Sequence, residues 1–338
     1  MSKKLVQDAS QNLSDVLKDV FHHNDTHTAF IIYDLNSPLS QILTEAYRIA
    51  LPHGIFINFN ETDTEEILAQ IDDLKAGNFV ALVQSTSFRL SAFRIRIELF
   101  KNSIKVAEHP HLGRMNEDYE VKNYVNALAY DKAYFHHTGH TLKDILNQAE
   151  SAVVRSGDEK LVYRGGFEPA KINIGDYTQM KNIGGQFPIG EVFTEPKELT
   201  SLNGSTNIIA FGDRNYKVNI PPKPITIMIE KGHLVATKNS TEEFEAVLTM
   251  IKEEEGQVWV RELGLGINRA FSKENHVSDM GTFERMCGLH LSLGAKHGIY
   301  AKEGMKRNSG KFHIDVMIDT DTFNIDNTIV FVGKKWVV

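Results

Sequence analysis

The sequence predicts a two-domain α/β protein, and three observations support that reading. Over roughly the first half, apolar stripes at helical spacing alternate with short β-rich runs. Between about Gly157 and Pro188 the stripes give way to short strands separated by turn residues. The length of 338 residues is ample for two domains, each with its own core. The expected division is 1–180 for an N-terminal βαβ domain with a mostly parallel sheet, and 181–338 for a C-terminal domain of mixed or antiparallel sheet.

In the first half, Val6 to Val20 carry apolar positions at helical spacing. The run Thr28–Asp34 is rich in Ile, Phe and Tyr and reads as a strand, and Asn36-Ser37-Pro38 reads as a cap and first turn. The helix Leu39–Leu51 follows, with Leu39, Ile42, Leu43, Ala46, Ile49 and Ala50 on one stripe. A strand Gly54–Phe59, a capped helix Thr62–Ala76 and a strand Phe79–Gln84 complete the βαβ pattern. After the first strand, Tyr33-Asp34-Leu35-Asn36-Ser37 carries no glycine fingerprint, so no dinucleotide site is expected there.

In the second half the expected strands are Leu161–Tyr163, Ile172–Ile174, Asn207–Phe211, Lys217–Ile220, Ile225–Glu230 and His233–Thr237. Pro221-Pro222-Lys223-Pro224 reads as a stiff connector or a sheet-edge device. One helix, Ser240–Glu255, interrupts the strands, and its Glu253-Glu254-Glu255 run reads as a solvated face.

Composition narrows the chemistry. The formal charge of −7, with Lys and Arg mixed among Asp and Glu, gives no basic footprint for nucleic acid. A single cysteine, Cys287, excludes an intramolecular disulfide framework and a thiolate-rich metal site. Any metal must therefore be held by His, Asp, Glu or Tyr. Met1-Ser2-Lys3-Lys4 runs into helix pattern without a signal-peptide apolar core, and no run reaches the roughly 18–20 apolar residues of a membrane span. The expectation is a cytoplasmic protein with no membrane partner.

Four segments of the second half could carry chemistry. In Lys311-Phe312-His313-Ile314-Asp315-Val316-Met317-Ile318, preceded by Asn308-Ser309-Gly310, strand alternation puts His313 and Asp315 on one face and the apolar residues on the other. An imidazole beside a carboxylate on rigid backbone is a pair of N and O metal ligands. Gly184–Pro196 presents Glu191 from a backbone fixed by glycines and prolines. If Val258–Leu263 is a strand, Val258, Val260 and Glu262 share a face, and a carboxylate ending an apolar face needs a cation or a hydrogen-bonding partner. Gly288–His297 supplies His290 and His297. Taken alone, each has a plain reading: an exposed acid, an ion pair of Glu262 with Arg269, a core histidine, a surface histidine. The pairs His22/His23 and His109/His111 and the group His136/His137/His140 lack nearby carboxylates in sequence and read as surface or loop residues.

Taken in order, GEVFTEP, RELGLGIN, FERMCGLHLSLG, NSGKFHID and the terminal NTIVFVGKKW resemble the M29 metallopeptidases, the aminopeptidase T and S type. The resemblance covers most of residues 180–338 and is weaker in the first half. It implies Glu191, Glu262, His290, His313 and Asp315 as ligands of a two-metal centre in a C-terminal catalytic domain. It departs from the family where a ligand tyrosine is expected: that place holds His297, which is taken as a substitute ligand, with Tyr300 as the alternative. The implied cofactors are two divalent ions, zinc or cobalt by resemblance, with manganese and iron compatible with the donor set.

The implied activity is a metal-dependent aminopeptidase that cleaves short peptides from the N-terminus through an activated water. Glu191 or Glu262 would bridge the ions, and a carboxylate, with Glu284 as an outer candidate, would move the proton. A homodimer, with the first domain gating or making the dimer contact, is implied in the same way. A related branch resembles 2,5-dihydroxypyridine 5,6-dioxygenase, with one Fe(II). His290, His313 and Asp315 would suit that site, but the branch lacks the counterparts of Glu191 and His290 and has histidine at the Glu262 position. A non-catalytic binding protein that kept the fold is the third reading.

Overall fold

A computed structural model describes residues 2–88, 95–302 and 310–338, so Asn308 and Ser309 of the NSGKFHID motif lie outside the described residues. The chain divides into two units: Met1–His136 with Gly175–Ile189, and His137–Ile174 with Gly190–Val338. The single cut expected at residue 180 is replaced by crossings at 136/137, 174/175 and 189/190. The reason is strand pairing, which composition does not report.

The first unit contains α1 (Lys3–Asp19), β1 (Ala29–Tyr33), α2 (Pro38–Ala50), β2 (Ile55–Asn58), α3 (Thr64–Asp72), β3 (Phe79–Val83), α4 (Ile95–Lys101), β4 (Lys105–His109) and α5 (Asp118–Ala127). Ser37 caps α2: its hydroxyl accepts from the Ser40 N–H at 3.2 Å, and the Ser40 hydroxyl accepts from the Ser37 N–H at 3.1 Å. β1 and β3 are buried along their whole length, as expected of parallel strands covered on both faces. One face packs Phe30, Ile32, Val80, Leu82 and Val106 against Ile67, Ile71, Ile95 and Leu99.

His109, expected at the surface, is fully buried. Its Nε2 lies 2.9 Å from the Tyr47 hydroxyl and its Nδ1 2.9 Å from the Tyr124 hydroxyl. Burial pushes its pKa down to about 3, so the ring sits in the core as a neutral hydrogen-bonding spacer.

α6 (Lys132–Gln148) leads to the hairpin β5 (Ser151–Ser156) and β6 (Glu159–Arg164), then β7 (Lys171–Asn173). The chain then supplies β8 (Gly184–Gln186), which pairs parallel with β4 and completes a five-stranded sheet of order β2-β1-β3-β4-β8. This pairing carries residues 175–189 into the first unit.

The second unit continues with β9 (Glu191–Thr194), β10 (Asn203–Gly212), β11 (Val218–Asn219), β12 (Ile225–Glu230), β13 (His233–Lys238) and α7 (Glu242–Glu255). Then come β14 (Val260–Gly266), α8 (Met280–Phe283), β15 (Gly288–Leu293), β16 (Ile314–Ile318), β17 (Thr322–Ile325), β18 (Thr328–Val332) and β19 (Lys335–Trp336). These strands form a fourteen-stranded sheet with the main path β19-β18-β17-β5-β6-β10-β16-β15-β14-β9-β7. Its ladders are antiparallel, and Pro221–Pro224 fills the connection from β11 to β12. The fold is mixed α/β, with a parallel sheet and a separate antiparallel one, as the sequence predicts.

Candidate metal centre

Four adjacent strands in the order β16-β15-β14-β9 carry Asp315, His290, Glu262 and Glu191. Cross-strand partners set the register: Asp315 faces Ser292, His290 faces Gly264, and Glu191 faces Gly266. Glu262, Gly264 and Gly266 alternate along β14, so acids, imidazole and glycines share one face. Leu263, Leu265, Leu289, Leu291 and Val316 line the other face, all fully buried. His313 immediately precedes β16, and His297 lies in the connection that follows β15.

A bulge aims Glu262. Val260 pairs with Leu293 and Leu263 with Leu291, so Arg261 and Glu262 together oppose the single residue Ser292. The bulge breaks the alternation expected from sequence: Val260 turns to the leucine face, while Glu262 turns to the polar one. The Glu262 N–H donates to the Ser292 hydroxyl at 3.0 Å, which pins the bulge.

Gly264 makes room for His290. A methyl group on Gly264 would lie 1.9 Å from His290 Nε2 and 2.0 Å from its Cε1. Gly266 is equally confined, with Met286 O at 1.9 Å from the same construction. Two glycines in a buried central strand were the legible signal of this close approach, though the sequence alone did not say what approaches.

All six predicted residues come together. His290 Nε2 is 3.4 Å from Glu191 Oε1 and 3.6 Å from Glu262 Oε1. His313 Nε2 is 3.2 Å from Asp315 Oδ1 and 4.0 Å from Glu262 Oε1. His297 Nε2 is 2.9 Å from Glu262 Oε2. Donor atoms of Glu191, Glu262 and His290 lie within 4.8 Å of one another, and so do those of Glu262, His313 and Asp315. Glu262 belongs to both groups; His297 belongs to neither. The alternative donor Tyr300 is engaged elsewhere, its hydroxyl donating to the Pro169 carbonyl at 2.7 Å.

The residues fit cations. Among the described residues, both ring nitrogens of His290 and Oδ1 of Asp315 are buried without a well-formed hydrogen bond, although ionisable neighbours lie close to His290 Nε2 and Asp315 Oδ1. Such orphans cost about 1–3 kcal/mol each and call for a ligand. The donors are nitrogen and oxygen only, a set suited to zinc, cobalt, manganese or iron. Protons otherwise balance the acids. Burial alone would lower His290, but the facing carboxylates of Glu191 and Glu262 outweigh it and push the pKa up to about 10. Burial likewise lowers His313, yet Asp315, supported by Glu262 and the Lys296 carbonyl, lifts it to about 9. Burial raises Glu262, but His290, His297 and His313 more than reverse this and hold it well below the usual carboxylate range.

A buried polar frame behind the donors was not anticipated. The side chain of Arg261 is 1% exposed; it donates to Glu195, to the Ala295 carbonyl at 2.6 Å and to the Tyr300 carbonyl at 3.3 Å. Lys302 lies 3.9 Å from the other oxygen of Glu195 and donates to Glu168 at 2.5 Å. Arg285 pairs with Glu284 and lies 3.7 Å from Glu191 Oε2, so the outer candidate Glu284 reaches the donors only through an arginine.

Glu255, read from sequence as part of a solvated face, has a structural task. It accepts N–H bonds from Ala295 at 2.6 Å, Lys311 at 2.7 Å and Phe312 at 3.0 Å, tying together the segments that carry His297 and His313. Alternating polarity cannot reveal an acid whose partners are backbone amides.

No protein-family model matches the sequence, and none of the curated proteins does. The structure, in contrast, is similar to wild-type AmpT from Thermus thermophilus, with a TM-score of 0.61, over 98% of this chain and 99% of that one. The chain has the AmpT fold. At 15% identity the likeness establishes architecture, and the architecture is the M29 one that the sequence resemblance implies. Near-complete coverage of both chains means that the AmpT-like architecture includes the first half, where the sequence resemblance was weak.

Proposed function

We propose that the protein is a metallo-aminopeptidase that removes N-terminal residues from short peptides using two divalent cations. The observation that carries this reading is Glu262, common to two donor groups, Glu191/Glu262/His290 and Glu262/His313/Asp315. A carboxylate shared in this way suits a pair of ions rather than one. The AmpT fold supports the same reading.

When bound, the cations supply Lewis-acid chemistry, an acidified water and a polarised carbonyl. The chain's own residues do the rest. Glu191, His290, His313 and Asp315 would hold the two positions together with the shared Glu262, and the Arg261–Glu195 pair braces the bulge that carries Glu262. Arg285 sits against Glu191 and orients that acid. Hydrolysis also needs a group that takes a proton from the attacking water and delivers it to the leaving amine, a role that the carboxylate of Glu191 or Glu262 would fill.

The single-iron dioxygenase reading draws less support: His290 falls in one donor group and His313 with Asp315 in the other. Zinc or cobalt occupancy, a cytoplasmic setting and a homodimer belong to this proposal. No described helix is long and apolar enough to cross a membrane. The deciding experiment loads the protein with zinc or cobalt, counts ions by elemental analysis, and follows hydrolysis of an aminoacyl anilide in wild type and Glu262→Ala. Two ions and turnover, both lost in the variant, are expected. Fewer than two ions, or oxygen uptake with a dihydroxylated ring and Fe(II), would overturn the proposal.

A further inference from the structure

The residue that departs from the family pattern, His297, contacts the donors differently from the other two histidines. His313 Nδ1 lies 3.2 Å from the Lys296 carbonyl, an acceptor, so that nitrogen keeps its proton and Nε2 is the one left to bind a cation once its own proton is released. That is the arrangement of a ligand. For His297 the sense is reversed. Its Nδ1 accepts from the N–H of Ile299 at 3.2 Å and of Tyr300 at 3.4 Å. A nitrogen facing two N–H donors has no proton of its own, so the ring proton is on Nε2. Nε2 points at Glu262 Oε2, 2.9 Å away.

The frame around the ring fixes this orientation. The Ala295 carbonyl and the Tyr300 carbonyl, on either side of His297, both accept from the buried Arg261. The Ala295 N–H donates to Glu255, and the Tyr300 hydroxyl to the Pro169 carbonyl. The amides of Ile299 and Tyr300 are therefore held where they meet Nδ1. On the other side, Oε1 of Glu262 is the oxygen nearest both His290 and His313.

We propose that His297 is a hydrogen-bond donor to Glu262 and not a ligand of either cation. It holds Oε2 and so keeps Oε1 turned toward both donor groups. The inference deepens the two-cation reading and rests on it. It replaces the expected sixth ligand with a positioning residue and leaves five donors, Glu191, Glu262, His290, His313 and Asp315, to hold the ions.

The test uses full-length protein loaded with zinc or with cadmium-113, and the variants His297→Gln and His297→Leu. An amide placed by glutamine keeps an N–H donor near the Nε2 position but is a poor ligand. Both variants are expected to bind two ions, His297→Leu about 10–100-fold more weakly and His297→Gln recovering most of the loss. In the wild type, cadmium-113 coupling should reach the rings of His290 and His313 and not His297, whose ¹⁵N shifts should report the Nε2–H form. Coupling to His297, or the loss of one ion in both variants, overturns the assignment. A wild type that takes up no ion defeats the two-cation reading instead. The tautomer in the metal-free protein then decides this one: Nε2–H bonded to Glu262 upholds it, and Nδ1–H overturns it.

Discussion

Replacing Gly264 by alanine tests whether the glycine spacing on β14 exists to seat an imidazole. The added methyl would stand 1.9, 2.0 and 2.6 Å from Nε2, Cε1 and Cδ2 of His290. The ring must retreat by about 1.5 Å to restore ordinary van der Waals contact. His290 is fully buried between strands, so the retreat has nowhere easy to go. Overpacking of this kind costs about 1–3 kcal/mol of stability. The larger effect falls on the site. Disturbing groups that only orient a ligand costs about 10–100-fold in metal affinity, so displacing the donor itself should exceed that for one of the two ions. The ion held by Glu262, His313 and Asp315 should remain. Zinc titration with elemental analysis reads the stoichiometry, and thermal denaturation reads the stability. Gly281→Ala is the control, because its new methyl meets only Asp279 Oδ2 at an ordinary 3.5 Å. Gly264→Ala protein that binds two ions at wild-type affinity would refute the reasoning.

Other predictions follow from the same geometry. Glu262→Gln should lose both ions and Glu191→Gln chiefly one, because only Glu262 belongs to both donor groups; equal losses by elemental analysis would contradict the shared role. Metal binding should release protons near neutral pH, since His290 and His313 titrate near 10 and 9 in the metal-free protein and must be deprotonated to bind. Affinity should therefore rise from pH 7 to 9, and calorimetry in buffers of different ionisation enthalpy should detect the release; a flat affinity would count against it. The raised histidines stabilise the metal-free fold fully below pH 6.5, and that contribution fades as pH rises through about 9 and 10. Chelated protein should accordingly melt at a lower temperature at pH 10 than at pH 7, and a melting temperature unchanged over that range would argue against it. Arg261→Met should cost about 3–5 kcal/mol in denaturant unfolding by stranding Glu195, whose side chain is 0% exposed; a loss under about 1 kcal/mol would mean that Lys302 alone satisfies that acid.

Local pattern revealed a good deal. The strand β12 falls on Ile225–Glu230 as expected, and the cap of α2 on Ser37. The helix expected to end at Glu255 does end there. Periodicity reports these features because each depends on neighbours a few residues away. The division of the chain was not legible, because Gly184–Gln186 has no distinctive apolar pattern and joins its sheet through backbone pairing with β4. His109 was misread for a related reason: its partners Tyr47 and Tyr124 are distant in sequence, and a histidine with both nitrogens satisfied can occupy a core. The bulge at Arg261 and Glu262 was also hidden, since one extra residue reverses the faces on either side of it without altering composition.

By itself, the sequence determined the class of fold, the limitation of any metal site to nitrogen and oxygen donors, and the identity of the acids and imidazoles that meet. Residue chemistry and ordered motifs are properties of the chain, present before it folds. Tertiary structure alone decided that Glu262 is shared between two groups, that Gly264 clears space for His290, and that Arg261 and Glu255 frame the segments carrying His297 and His313. It also decided the direction of each ring, because a histidine's role follows from which nitrogen meets an N–H and which meets a carbonyl, and only the folded backbone supplies those partners.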